Sequence, residues 1–256
     1  MGEKEVTSLQ DRNGIKYEVN SEVGFTGKYV QYSDNGQKLI EEHFKLGKRH
    51  GLKTEYYDNG QKEFEGNFKN GVGEGLGTTW FENGQKKTEG NFKNGKWDGL
   101  LTRYYENGQK EYEVNYKNGK EDGLDTGWHE NGQKSLEINW KNGKKDGLWT
   151  EWYENSQTTY EVNYKNDNKE GLMTGWHENG QKSAEVNWKN GKKEGLLTEW
   201  YENGQKSLEV NWKNGEIDGL MTEWDKEGNI GKSETIKGFE FFDKILESIE
   251  KNIEKN

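Results

Sequence analysis

His129 and His177 sit in the same slot of two segments 48 residues apart. Imidazole is the side chain best suited to hold a metal or to move a proton near neutral pH. In a hairpin array the two lie four strand spacings apart, about 19 Å, which is too far to share one ion. Tyr153 and Tyr201 fill that slot in the alternating copies, so each histidine reads as a surface replacement for tyrosine. Glycine clusters in "GVGEGLG" at 71–77, but the Gly-Lys-Ser/Thr of a phosphate loop and its following helix are missing. Carboxylates are spread along the whole chain, so no pair stands out. Cysteine is absent, and no Ser–His–Asp or Cys–His set can be assembled. The expectation is a protein that is not an enzyme, with no catalytic residue, no cofactor and no metal site.

What remains is aromatic. Rings recur every 24 residues in two columns, one from Phe44 to Trp212 and one from Tyr32 to Trp224. The richest part is Trp128, Trp140, Trp152, Trp176, Trp188, Trp200 and Trp212, within the near-duplicates 125–172 and 173–220. These seven are the candidate binding surface. Lys134, Lys182 and Lys206 are expected over Trp128, Trp176 and Trp200 as cation–π pairs. The competing reading makes the same rings the core of a thin sheet.

Variants of "ENGQK" begin at Asp34, Asp58, Glu82, Glu106, Glu130, Glu154, Glu178 and Glu202. The stretches around "ENG" alternate in polarity, which predicts two strands joined by a hairpin turn. A three-residue Glu-Asn-Gly loop pairs Tyr201 with Gln205 and Trp200 with Lys206. It then places Leu196, Thr198 and Trp200 on the same side as Leu208, Val210 and Trp212. "KNG" is expected to turn in the same way. Successive repeats should lie about 9.6 Å apart, giving a ribbon on the order of 80 Å long. The sixth copy, "ENSQTTYEVNYKNDNKEG", replaces both turn glycines, with Ser156 and Asp167. It is the expected weak link, because each position demands a left-handed backbone.

Composition agrees with thin burial. Apolar residues are 28%, charged residues 33% and aromatics 13%. No proline interrupts a ladder. Net charge is 37 − 47 = −10, which disfavours nucleic acid and anionic membrane as partners. The opening residues lack the apolar core of a signal peptide. The expected location is therefore cytoplasmic, or the cell surface if a leader preceded this sequence.

Residues 65–81, "EGNFKNGVGEGLGTTWF", resemble the MORN repeat at Gly66, Phe68, Gly71, Gly75 and Gly77. The other copies are similar to its bacterial variant, the YwqK-like class, some members of which carry an antitoxin label. The resemblance covers residues 25–225 or so. It implies an all-β, elongated, single-layer antiparallel β-hairpin ribbon used for binding or scaffolding. Later copies depart from it by replacing Gly66 and Gly77. The expected organisation is an N-terminal capping hairpin at 1–33, repeats at 34–230 and an amphipathic capping helix at 231–256. Phe242, Ile245, Leu246, Ile249 and Ile253 carry the helical spacing. The expected function is binding of a protein partner, with an antitoxin- or immunity-like inhibitor as one form of it. The alternative is a cell-surface or cell-wall glycan binder.

Overall fold

The computed structural model describes residues 3–237. All regular structure among them is β, in two compact units, 1–132 and 133–256. In the first unit, nine antiparallel strands follow chain order from Gly27–Tyr32 to Lys120–Trp128. In the second, nine more run from Lys134–Lys141 to Ile230–Lys237.

Residues 1–33 hold more than one hairpin. Glu5–Val6 lies parallel beside the edge strand Gly27–Tyr32. Gln10–Arg12 and Ile15–Tyr17 form a separate hairpin, tied to the sheet by Lys16 N donating to Gly47 O at 2.9 Å. At the other end, residues 231–237 belong to a strand paired with Glu216–Trp224, so a helix does not begin at 231. The remaining helix expectation, 238–256, lies outside the described residues.

The two turns differ. At Glu202-Asn203-Gly204, Tyr201 N donates to Gln205 O and Gly204 N to Tyr201 O, both at 2.9 Å. Gly204 has φ 81°, so this is the expected three-residue loop ending in a left-handed residue. At the second turn Lys213 pairs directly with Glu216, and Asn214 and Gly215 have φ of 54° and 88°. That is a two-residue Asn-Gly turn with both positions left-handed. It corrects the expectation that "KNG" forms a three-residue loop.

Trp200 pairs with Lys206, as expected, but Glu199 pairs with Leu208, leaving Ser207 as the extra residue of a bulge. One extra residue flips every side chain beyond it. Leu197, Leu208, Val210 and Trp212 therefore share one face, called here the valine face. Leu196, Thr198 and Trp200 lie on the other, the threonine face. The single apolar side expected from alternation is thus split in two.

The valine face carries the core. Ile138, Val162, Val186 and Val210 are at most 2% exposed. Around Val186, Leu197 and Val210 pack Met173, Trp188, Leu208, Trp212, Ile217 and Met221. Each such burial contributes roughly 1.5–3 kcal/mol, from one row of side chains per repeat. In the first unit, Val114 holds the equivalent place and is 1% exposed, and glycines precede it. A Cβ on Gly90 would stand 2.8 Å from the Trp97 ring, which stacks on Phe92 at 3.7 Å. Here glycine leaves room for a ring; where valine returns, the neighbouring side chain changes.

On the threonine face of each unit a row of threonines is buried, Thr54 to Thr126 in the first and Thr150 to Thr222 in the second. Each faces a glutamate across the ladder, as Thr102 faces Glu113 and Thr198 faces Glu209. The Thr102 hydroxyl donates to Glu113 at 3.2 Å. Lysines that ion-pair with these glutamates, such as Lys110 and Lys206, extend over the row.

Candidate functional site

The recurring pentapeptide is largely a device for linking repeats. Asn203 Oδ1 accepts from Gln205 N at 3.0 Å, while Asn203 Nδ2 donates to Lys226 O at 2.7 Å, one repeat further on. Asn59, Asn83, Asn155 and Asn179 do the same in their repeats. The phenols of Tyr57, Tyr153 and Tyr201 donate to the carbonyls of Trp80, Trp176 and Trp224. His177 Nε2 bonds to Trp200 O at 2.7 Å, which requires its Nε2–H tautomer. The imidazole replaces a phenol as donor, and that accounts for the histidine slot that His129 shares. The acid before each Gly-Leu accepts the turn amide of the following repeat: Glu170 from Asn190 N and Glu194 from Asn214 N, each at 2.8 Å. These carboxylates therefore serve as links between repeats.

The glycines of 71–77 also have fold roles. Gly71 N donates to Arg49 O, Gly73 pairs with Phe68, and a Cβ on Gly77 would touch the Phe92 ring at 3.0 Å.

The seven tryptophans do not share a surface. Trp128, in the first unit, has threonine-face parity. In the second unit, Trp152, Trp176 and Trp200 lie on the threonine face, and Trp140, Trp188 and Trp212 on the valine face. All are half-buried. Lysine placement also departs from expectation. Lys182 sits over Trp200 at 6.0 Å and Lys206 over Trp224 at 5.8 Å, one repeat beyond the expected partner. Lys110, not Lys134, sits over Trp128, at 5.5 Å. The cause is the bulge, which leaves each lysine at the end of its strand, beside the ring of the next repeat.

Alternation missed two further features. One is the buried threonine row. The other is, in each unit, a row of exposed leucines on the same face as its threonines: Leu52, Leu76, Leu100 and Leu124 in the first and Leu148, Leu172, Leu196 and Leu220 in the second, each 37–51% exposed. Their strict recurrence after glycine is a signal in the sequence, but alternation alone puts Leu196 on one side with Leu208, Val210 and Trp212.

Among the described residues no cluster of three or more His, Cys, Asp or Glu is placed to hold a metal. The most perturbed phenol belongs to the fold. Tyr112 donates to Asp125, itself 2% exposed. Burial first, and then this carboxylate, push the Tyr112 pKa strongly up.

Hairpins of fixed length, cross-linked at fixed offsets and carrying repeated side-chain rows, define a repeat-built binding or scaffold protein. The family follows from the residues matched: 25–46, 49–70, 73–94, 97–118, 145–166, 169–190 and 193–214 fit the model described as "MORN repeat variant". The chain belongs to that family, a non-catalytic repeat type. A search of curated proteins returned no match. Among solved structures, "Crystal Structure of TcdB2-TccC3" is 13% identical with a TM-score of 0.17, and "Crystal Structure of TcdB2-TccC3-TEV" is 14% identical with 0.16. In each case 80% of this chain is covered, and the chain spans only 16% of the other.

Proposed function

We propose that the chain acts by binding a protein partner and that the threonine face is its docking side. The leucine row carries this reading. A side chain that exposes about half its apolar surface at the same place in every repeat contributes little to folding, whereas recurring apolar exposure marks interaction surfaces. Its spacing is set by the hairpins, so one contact is offered several times over, and repeated weak contacts sum to avidity. The net charge of −10 favours a partner with a basic surface. An antitoxin- or immunity-like inhibitor would use such a surface in this way.

The test is a paired set of variants. In Leu148→Ser/Leu172→Ser/Leu196→Ser the fold should remain, with far-UV circular dichroism and melting temperature close to the parent. Capture of the partner retained by the parent should be lost. Trp188→Leu should lower stability, because Trp188 packs against the valine core, and should leave capture intact. Unchanged capture by the leucine variant, or its loss only with Trp188→Leu, would move the docking side to the valine face.

A further inference from the structure

The valine face of the second unit breaks its own pattern at one place. Glu151 pairs with Tyr160 and Glu199 with Leu208, but between them Gly175 pairs with Ala184. Two facing positions that elsewhere carry long side chains carry almost none, and a hollow of about 530 Å³ opens there. That volume falls in the range of small-ligand sites, roughly 300–1,000 Å³.

The hollow has aromatic walls. Trp149 holds a position occupied by Met173 and Leu197 in the next two repeats. Its ring lies 5.5 Å from that of Tyr164, and its Nε1 donates to Glu151 at 2.9 Å. Polar groups converge on the same space. The Tyr160 hydroxyl is buried and lacks a hydrogen bond of normal geometry. Ser183 Oγ stands beside the gap, 2.9 Å from where a Gly175 Cβ would be. Lys169 Nζ lies 5.2 Å from the Tyr160 ring centre and 4.7 Å from that of Trp188.

Lys169 is one of three. Lys145 lies over Trp149 at 3.9 Å and Lys193 over Trp212 at 4.4 Å. Among the described residues none of the three makes an ion pair, although most strand-end lysines of the threonine face do. Burial first, then Lys193 and Lys145, pull the Lys169 pKa down. A row of cations that make no direct ion pair, with the Glu151 carboxylate the acidic group acting on Lys169, is therefore interleaved with rings, in register with the repeat of about 9.6 Å.

We propose that this row and its hollow bind an acidic polysaccharide bearing one carboxylate per disaccharide. Pyranose rings stack their C–H faces on aromatic side chains, and their hydroxyls suit the Glu151 carboxylate, Ser183 Oγ and the Tyr160 hydroxyl. Two sugar rings span a length comparable to one repeat, so successive carboxylates meet Lys145, Lys169 and Lys193. The negative charge of the whole chain does not forbid this contact, because at physiological salt fields decay over about 8 Å and the nearest charges are these lysines. An acidic peptide would satisfy the lysines but leave the hollow and its hydroxyl-binding groups unused.

The test is titration of the full chain, followed by tryptophan fluorescence and calorimetry. The probes are a hexasaccharide with one carboxylate per disaccharide, the same oligosaccharide with its carboxyls reduced to alcohols, and a hexaglutamate peptide. The acidic sugar should bind, and the other two should bind about tenfold more weakly or worse. Ala184→Leu, which supplies the side chain that Leu208 already provides two strands on, should weaken binding by a similar factor while keeping the fold. Lys169→Gln should do likewise, and Lys189→Gln, at an exposed site outside the row, should not. The proposal is overturned if the acidic sugar fails to bind at millimolar concentration. Equal binding of either other probe, indifference to Ala184→Leu, or an equal loss in Lys189→Gln would each overturn it too.

Discussion

A side chain here takes its meaning from the residue it meets on a neighbouring strand. Tyr112 and Asp125 show this in the first unit, where a phenol is locked to a carboxylate that has almost no contact with water. Tyr112→Phe removes that donor and should cost about 1–3 kcal/mol in urea unfolding. The pair also sets alkaline behaviour. Tyr112 and Tyr160 both hold their protons more tightly folded than unfolded, against an ordinary value of 10.0, chiefly through burial. The unfolded chain then loses protons first as pH rises. Their contribution to stability should be complete below pH 10 and should decline above it. Ultraviolet titration of phenolate in the native protein, beside denaturation midpoints at pH 9 and above pH 10, checks the sign; a midpoint that rises with pH would refute it. His177 makes a gentler case. His177→Tyr restores the donor used by Tyr153 and Tyr201 and should be close to neutral. His177→Phe should cost about 1 kcal/mol through the lost bond to Trp200 O. Phe81, which fills the same slot in another repeat, limits that cost.

At the scale of the hairpin, much was legible and one term was not. The 24-residue spacing, the Glu-Asn-Gly loop and the pairings Trp200–Lys206 and Tyr201–Gln205 follow from turn chemistry, which is local and therefore written locally. The face assignments do not. A bulge at Ser207 depends on how Lys206 and Leu208 settle against a neighbouring strand, and no residue type announces it. Once parity is lost, so is the grouping of the tryptophans, the reach of the lysines and the exposure of the leucines. The hollow at Gly175 and Ala184 was missed for a related reason. Small residues look unremarkable until pairing sets them opposite each other. The sixth copy shows local reasoning missing a compensation. Ser156 and Asp167 do adopt left-handed backbones, φ 66° and 70°, yet Ser156 Oγ donates to Gln133 and Asp167 Oδ1 accepts from Lys145 N at 2.9 Å. Each replacement recovers a hydrogen bond that glycine cannot make. Ser156→Gly and Asp167→Gly should therefore shift stability by less than about 1 kcal/mol, the usual glycine advantage at such sites being offset. Hydrogen exchange over 154–170 should match that over 178–194; markedly faster exchange in the sixth copy would show that the compensation fails.

Across the molecule, links at offsets of 20, 22 and 23 residues recur because the period is 24. Glu194 with Asn214 N, Gly215 N with Lys193 O, and Asn203 with Lys226 O are one copy of a set that any intact repeat can rejoin. Stability should then be close to a sum of repeat and nearest-neighbour terms. Phase is what this arrangement cannot give up. Removing residues 169–192, a full period, joins Asn168 to Lys193 at the same point of the hairpin, so every strand keeps its direction, face and partner type. That variant should fold to an all-β spectrum, unfold at lower urea, and show an m-value lower by about a tenth, in step with the surface no longer buried. Removing only 169–180 deletes one strand and its turn. Entered through the same short turn, the strand Lys182–Lys189 would have to run opposite to its native direction to stay antiparallel to its neighbour, and every later strand would meet the wrong turn and the wrong partners. It should fail to give a cooperative transition. If the half-period deletion unfolds as cooperatively as the full one, the repeats are not the units that hold this sheet together.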